Sequence, residues 1–192
     1  MKLFIQISLT TYISSMMVYT LWGLITFSTI DKGWIGSLVY LPHGCRVIFY
    51  CFFGVRALPA LYMAEITGPT LVWGDQYLDY WTFASLFSLA SIVVAVEILK
   101  WSRVATWNYS ILGEINFANY KFIIFVIIIS ALLNAIFTNL FLSIANGVDL
   151  TVFVVFRFFI GDMAGSACFI IFLMIMFNML KSKKYYPVHD DN

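Results

Sequence analysis

Five ionisable residues lie inside long apolar runs of this sequence, where a charge is costly. They are His43, Arg46, Glu65, Arg157 and Asp162. An arginine near the middle of a bilayer costs roughly 2.5–3.5 kcal/mol on insertion scales, so such residues usually face a protein interior or a wet cavity and have a partner. Two kinds of chemistry fit this set. Either the arginines bind a carboxylate or phosphate ligand, or the five residues form buried ion pairs that fix helix packing.

Residues 41–46, with the sequence LPHGCR, concentrate unusual residues inside one apolar run. Pro42 removes a backbone donor, and Gly44 lets a neighbouring helix or a ligand approach the backbone closely. Together with Arg46 they predict a membrane helix that is broken or kinked half-way across, with an ionic group beside the break. His43 and Arg46 are three residues apart and therefore share a helix face.

The depth of each ionisable residue, reckoned at about 1.5 Å per helical residue, predicts its partner. Arg46 and Asp162 both lie roughly 18 Å from the outer surface on this reckoning, so we expect them to form the central pair. Arg157 then pairs with Glu65 or with the region of His43. This pairing requires the second, third and sixth predicted helices to be neighbours.

Arg157 and Asp162 are five residues apart, roughly 140° around a helix, and cannot point the same way. If neither meets lipid, the sixth predicted helix must be surrounded by protein. Asp162 lies inside a small-xxx-small glycine pattern, which allows close helix contact. The predicted helix-packing positions are Pro42, Gly44, Gly161 and Gly165.

The residue types exclude most catalytic and metal chemistry. The sequence has only two histidines, His43 and His189, so a haem held by two intramembrane histidines is ruled out. No cluster of histidine, cysteine and carboxylate residues has metal-ligand spacing, and the three cysteines lie in apolar runs without disulfide or zinc spacing. No basic tract indicates nucleic acid. The sequence therefore predicts no enzyme activity, no catalytic residues, no cofactor, no metal and no nucleic-acid partner.

The composition is that of an integral membrane protein. Hydrophobic residues make up 62 % of the chain and charged residues 11 %, whereas a soluble domain has about 25 % charged residues. Apolar runs of about 17–25 residues mark membrane spans. The sequence predicts an all-α transmembrane bundle in a single domain, 1–180, with six spans and a short cytoplasmic tail at 181–192. The six spans are 3–30, 34–55, 57–73, 77–99, 121–145 and 150–180.

The topology follows from the excess of lysine and arginine on the cytoplasmic side of membrane proteins. With the N-terminus inside, the outer side holds only Lys32. The cytoplasmic side then holds Lys2, Arg56, Lys100, Arg103, Lys121, Lys181, Lys183 and Lys184. This bias requires an even number of spans, so we expect both termini in the cytoplasm. The expected location is the lipid bilayer of the inner (plasma) membrane.

Two motifs carry a resemblance to a known family. The first is the sequence LPHG at 41–44, followed by FGVRALPA at 53–60, and the second is FIGDMAG at 159–165. The first resembles the opening signature of the bacterial MASE1 domain, a membrane-associated sensor module. The second resembles its closing signature, an aromatic residue before Gly-Asp-x-x-Gly in the last helix. The resemblance covers most of 34–180.

The sequence departs from this family in two ways. The stretch 168–174 lacks the proline that usually follows the closing signature. These modules also usually precede a cyclase or kinase output domain, whereas only about a dozen residues follow the last predicted span, too few for a folded domain. The resemblance therefore implies a sensing or binding membrane module that passes its signal to a membrane protein partner.

Three functions fit the sequence. The first is the MASE1-like module, which would bind a partner, or a small ligand from the extracytoplasmic side. The second is a structural or assembly subunit of a larger membrane complex. The third is a transporter subunit similar to the small-molecule-binding components of energy-coupling-factor transporters, although the first span lacks the alanines of their docking pattern. A receptor or carrier predicts an open cavity beside His43 and Arg46, and a structural subunit predicts the same charges in dry contact.

Overall fold

The structure is a computed structural model that describes residues 2–26, 37–73, 79–102, 117–147 and 149–185. These residues form six α-helices in chain order, and a 3-10 turn at Gly54–Ala57 joins the second helix to the third. The helices are α1 (Lys2–Thr26), α2 (Leu41–Phe53), α3 (Leu58–Trp73), α4 (Trp81–Trp101), α5 (Phe117–Asn146) and α6 (Val152–Tyr185). No strand occurs within these ranges, which confirms the all-α prediction for the described part of the chain.

Within the described residues, four helical stretches are long and apolar enough to cross a membrane. They are Leu41–Val72, which includes α2, the 3-10 turn and most of α3, and Trp81–Trp101, Lys121–Asn146 and Val152–Met179. Large apolar side chains also point outward, among them Leu24 and Val152, which are 75 % and 86 % exposed. Both findings support the prediction of a membrane protein. α1, the first predicted span, is not among the four stretches, and Ser, Thr and Gln recur along it. The count of six spans and the side on which the termini lie stay predictions.

The helix boundaries leave several predicted ends untested. α6 continues to Tyr185, so the first residues of the predicted tail at 181–192 are helical, and their position outside the membrane stays a prediction. Some predicted ends lie outside the described residues: 27–30 in the first span, 34–36 in the second, 77–78 in the fourth, and 186–192 in the tail.

α2 and α3 form a short helical hairpin rather than one long helix. At the turn Gly54 has a φ of 59°, which glycine adopts without steric cost. In a continuous helix Arg46 and Glu65 would lie about 28 Å apart, but their charged atoms approach to 3.1 Å. The hairpin therefore brings two ionisable residues together from opposite sides of a tight turn.

α2 lies at the centre of the bundle. Residues 41–47 are all buried, so its first two turns have no open face, and it contacts α1, α4, α5 and α6. α6, in contrast, exposes large apolar side chains such as Phe153 and Ile171. Within the described residues α6 is therefore not surrounded by protein, which the sequence required only if neither Arg157 nor Asp162 meets lipid, and the enclosed helix is α2.

The predicted packing glycines hold α2 and the residues before it against α6. A Cβ atom on Gly44 would lie 2.7 Å from the Cα of Ser166, so the two helices touch there. A Cβ atom on Gly161 or Gly165 would overlap the backbone of residues 37–40, which are not helical. The pair Gly161 and Gly165 therefore admits an irregular segment instead of the helix that the small-xxx-small pattern predicted.

The backbone of this irregular segment finds its hydrogen bonds inside the bundle. The Tyr40 N–H donates to the Gly161 carbonyl at 2.9 Å, and Trp22 Nε1 donates to the Val39 carbonyl at 2.8 Å. Pro42 stands in the first turn of α2, where helix N–H groups have no intrahelical partner and proline is favoured. The predicted kink at Pro42 is thus corrected: the break precedes the proline, which opens the helix.

Candidate functional site

Four of the five predicted residues meet in one buried network at the level of the first turns of α2. His43, Arg46, Glu65 and Asp162 are at most 2 % exposed. They come from α2, α3 and α6, and the remaining helices each add polar partners. We call the following residues the buried network: Tyr19, His43, Arg46, Glu65, Ser88, Ser130, Asn134 and Asp162.

One half of the buried network is built around Arg46. Its Nη1 atom lies 3.1 Å from Glu65 Oε2, an ion-pair distance without hydrogen-bond geometry. The same nitrogen donates to the Ser88 hydroxyl, and the Arg46 guanidinium carbon lies 5.4 Å from the centre of the Tyr40 ring. The Tyr19 hydroxyl donates to Glu65 Oε1 at 2.5 Å. Arginine keeps its charge in proteins, so Glu65 is its counterion.

This arrangement corrects the predicted pair of Arg46 with Asp162. Gly44 faces α6, and Arg46 follows it by two residues, which places the two positions about 160° apart around α2. The arginine side chain therefore points away from α6 and toward α3 and α4. Reckoning by depth alone missed this, because it ignored the direction in which each residue leaves its helix.

The other half of the buried network joins His43 to Asp162. His43 Nδ1 lies 3.5 Å from Asp162 Oδ2 and 3.2 Å from Arg46 Nη2, as the shared face of His43 and Arg46 predicts. His43 Nε2 lies 3.1 Å from the Ser130 hydroxyl. Asn134 Nδ2 donates to Asp162 Oδ2 at 2.6 Å. The imidazole therefore stands between the arginine and the aspartate.

Arg157 occupies a different position from the one expected. It is half-buried on α6, five residues before Asp162. Its first predicted partner, Glu65, instead lies against Arg46, and His43 lies against Asp162. The predicted pairing of Arg157 with Glu65 or His43 is therefore replaced by two pairs that both involve α2.

The contact between Arg46 and Glu65 is dry. The packing gap beside Arg46 and Glu65 leaves no room for a water molecule. Its other lining residues are Ser15, Tyr19, Pro42, Cys45, Leu61 and Ala64. Within the described ranges no group of histidine, cysteine and carboxylate residues is placed to hold a metal ion. Arg46 Nε and Glu65 Oε2 have no hydrogen-bond partner among the described residues, but the gap beside them is closed, so a ligand at Arg46 and Glu65 would have to displace a protein contact.

Sequence reasoning missed the uncharged partners. Tyr19, Ser88, Ser130 and Asn134 lie in apolar runs where a hydroxyl or amide is common enough to pass unnoticed. One signal was present, since Ser85, Ser88 and Ser91 recur every three residues along α4 and are all buried. A polar stripe inside a predicted span indicates the face that meets other polar groups.

Comparison of the chain with protein-family models, curated proteins and solved structures found no match. The resemblance to the MASE1 domain therefore stays a prediction that depends on the short motifs at 41–44, 53–60 and 159–165.

Proposed function

We propose that this chain is a non-catalytic, MASE1-like sensing module of the membrane that acts through a protein partner. The observation that supports this proposal is that all six helices contribute a side chain to the buried network. A change at one member, such as a shift in charge at Asp162, alters contacts to several helices at once. A sensor needs such a coupling, because a signal can shift a protein between two arrangements only by interacting differently with each.

The proposed setting is the inner membrane, with six spans and both termini in the cytoplasm. The four long apolar stretches provide most of the proposed spans. The hairpin contributes two spans when α2 is taken together with the residues before it, and Arg56 is exposed at its turn. A positive charge at that turn agrees with a cytoplasmic position.

A structural or assembly subunit is the second candidate, and the dry contact between Arg46 and Glu65 favours it. A buried ion pair can fix one helix arrangement without binding any ligand. The same dry contact gives no support to the transporter function, which calls for a cavity beside His43 and Arg46.

The test is recovery of the tagged protein in nanodiscs, followed by mass spectrometry of proteins and small molecules together. The wild type is compared with Asp162→Asn, which removes a network charge, and with Asp149→Asn, the same change at an exposed position. A sensing module should bring down a membrane protein in fixed ratio. The amount of this partner should change in folded Asp162→Asn but not in Asp149→Asn.

Other outcomes separate the alternatives. Equal partner recovery from all three folded proteins would favour the structural subunit. An ATPase among the partners would favour the transporter subunit. Recovery of the protein alone, without a partner in any of the three samples, would contradict the proposed function.

A further inference from the structure

The contacts of His43 define where its protons are. Arg46 Nη2 can only donate, so the His43 Nδ1 atom 3.2 Å away accepts when the imidazole is neutral. The proton then sits on Nε2, which donates to the Ser130 hydroxyl, and Ser130 donates onward to the Ile127 carbonyl at 3.3 Å. The single lone pair of Nδ1 is then taken by Arg46, so the imidazole offers no hydrogen to Asp162 Oδ2, which lies 3.5 Å from Nδ1.

The charge count of the buried network indicates that Asp162 carries a proton. Arg46 supplies one positive charge, and Glu65 is matched to it by the 3.1 Å approach and by the Tyr19 hydrogen bond. An ionised Asp162 beside a neutral His43 would leave the network with a net charge of −1. A buried charge without compensation is strongly destabilising, and a single amide donor from Asn134 does not neutralise it.

We infer that the pair of His43 and Asp162 binds a single proton, which is held on the Asp162 carboxyl group. Nδ1 of the neutral imidazole accepts from Arg46 Nη2, so this proton is not on Nδ1. With the proton on Asp162 the buried network is neutral. The inference concerns the network itself and holds whether or not the chain has the proposed sensing role.

The groups around this pair explain why it takes only one proton. The charged groups that act on Asp162 are Arg46 from α2 and Glu65 from α3. α5 presents the neutral Ser130 and Asn134. The remaining titratable neighbours, the phenols of Tyr19 and Tyr40, lie against Glu65 and each other, and α4 presents the Ser88 hydroxyl. A second proton would make the network positive, and loss of the first would make it negative.

Loss of the proton would act on the contact between α2 and α6. Asp162 belongs to the α6 stretch whose glycines hold residues 37–40 and Gly44 in place. A negative charge there would change the electrostatic interaction of α6 with Arg46 and with the N-terminal end of α2.

The test is the pH dependence of unfolding in detergent or nanodiscs. In the unfolded chain both Asp162 and His43 have lost their protons above about pH 6.5, whereas native Asp162 keeps its proton. Above about pH 6.5, and up to the pH at which native Asp162 ionises, the native state therefore binds one more proton than the unfolded state, and the unfolding constant should rise about tenfold per pH unit. In Asp162→Asn this rise should disappear. The unfolding constant should instead increase toward acid pH, because only the unfolded chain can protonate His43.

The Asp149→Asn variant controls for the change of one exposed carboxyl group, and it should keep the wild-type profile. Equal alkaline slopes in the wild type and in folded Asp162→Asn would overturn the proton site.

A spectroscopic measurement keeps the inference testable if Asp162→Asn does not fold. The chain has two histidines, so His189→Gln leaves His43 as the single source of imidazole signals in ¹⁵N-histidine NMR. Infrared spectra with ¹³C-labelled aspartate identify a protonated aspartic acid by the shift of its carbonyl band. At pH 7 the expected signature is a protonated aspartic acid together with a neutral imidazole. A neutral imidazole with no such band would show that the pair holds no proton.

Discussion

Two ion pairs of this molecule place similar chemistry in opposite surroundings. Arg46 and Glu65 meet at 3.1 Å with side chains 3 % and 1 % exposed, and they join α2 to α3. Lys100 and Glu97 meet at 2.5 Å with side chains 26 % and 59 % exposed, and they are neighbours on α4. The shorter pair is the one in the more open surroundings. Distance therefore does not indicate which pair the fold depends on.

Burial decides the difference between the two pairs. An exposed pair contributes roughly 0–1 kcal/mol, since water and salt screen its attraction. In a buried pair the cost of removing both charges from water offsets their attraction, so the net contribution of the pair to stability is small. Removal of one partner leaves an unmatched charge and is strongly destabilising. The pair between α2 and α3 thus works as a constraint on which helix arrangements are allowed. The pair on α4 imposes no such constraint.

The largest expected effect is that of breaking the buried pair. Arg46→Ala should destabilise the fold by about 3–5 kcal/mol, because Glu65 would keep a buried charge without a counterion. The measurement is the free energy of unfolding in detergent, compared with that of the wild type. The double variant with Arg46→Glu and Glu65→Arg should recover only part of the lost stability. In that variant Ser88 and Tyr19 would face the wrong charges, because Ser88 contacts the arginine and Tyr19 contacts the glutamate in the wild type. A loss below 1 kcal/mol in Arg46→Ala would show that the pair is not a constraint.

A smaller effect is expected from the hydrogen bond that supports the pair. Tyr19→Phe removes the hydroxyl that donates to Glu65 Oε1. Hydrogen bonds to charged groups contribute about 1.5–3 kcal/mol, and a loss of this size is expected in the unfolding free energy. The matched control is Tyr62→Phe, because the Tyr62 hydroxyl donates to the Thr82 carbonyl at an exposed position. Similar losses in both variants would contradict the distinction between buried and exposed contacts.

The smallest effect is expected at the exposed pair. Glu97→Ala should change the unfolding free energy by less than about 1 kcal/mol. The difference should shrink further in 1 M salt, where charges are screened over about 3 Å. Unfolding measured at low and high salt checks this. A larger loss that persists in high salt would mean that Glu97 has a role beyond its contact with Lys100.

The membrane-like composition, the helical class and the burial of four of the five predicted ionisable residues could be predicted from the sequence. Long apolar runs have few other interpretations, and an ionisable residue within such a run needs a protein environment. His43, Arg46, Glu65 and Asp162 were found by that reasoning alone. Their burial needed no knowledge of which helices are neighbours.

The partners could not be predicted, because a partner depends on direction as well as depth. The enclosed position of α2 follows from the irregular segment at 37–40. Pro42 was a local signal that a helix begins there, but no local pattern shows that the segment before it packs against α6. Gly161 and Gly165 have the spacing of a helix contact, and the same spacing also accommodates a non-helical backbone. Only the tertiary arrangement separates the two cases.

The hydrogen bond from Tyr40 to Gly161 also has a consequence for biosynthesis. Gly161 is added 121 residues after Tyr40, which takes roughly 6–24 s at 5–20 residues per second. Throughout that interval the Tyr40 N–H lacks its α6 acceptor, and an unpaired backbone group in hydrocarbon costs several kcal/mol. We therefore expect residues 37–40 to stay at the translocation machinery or at the hydrated membrane surface during this interval. The first half of the chain would then insert fully into the bilayer only after the last helix has been synthesised.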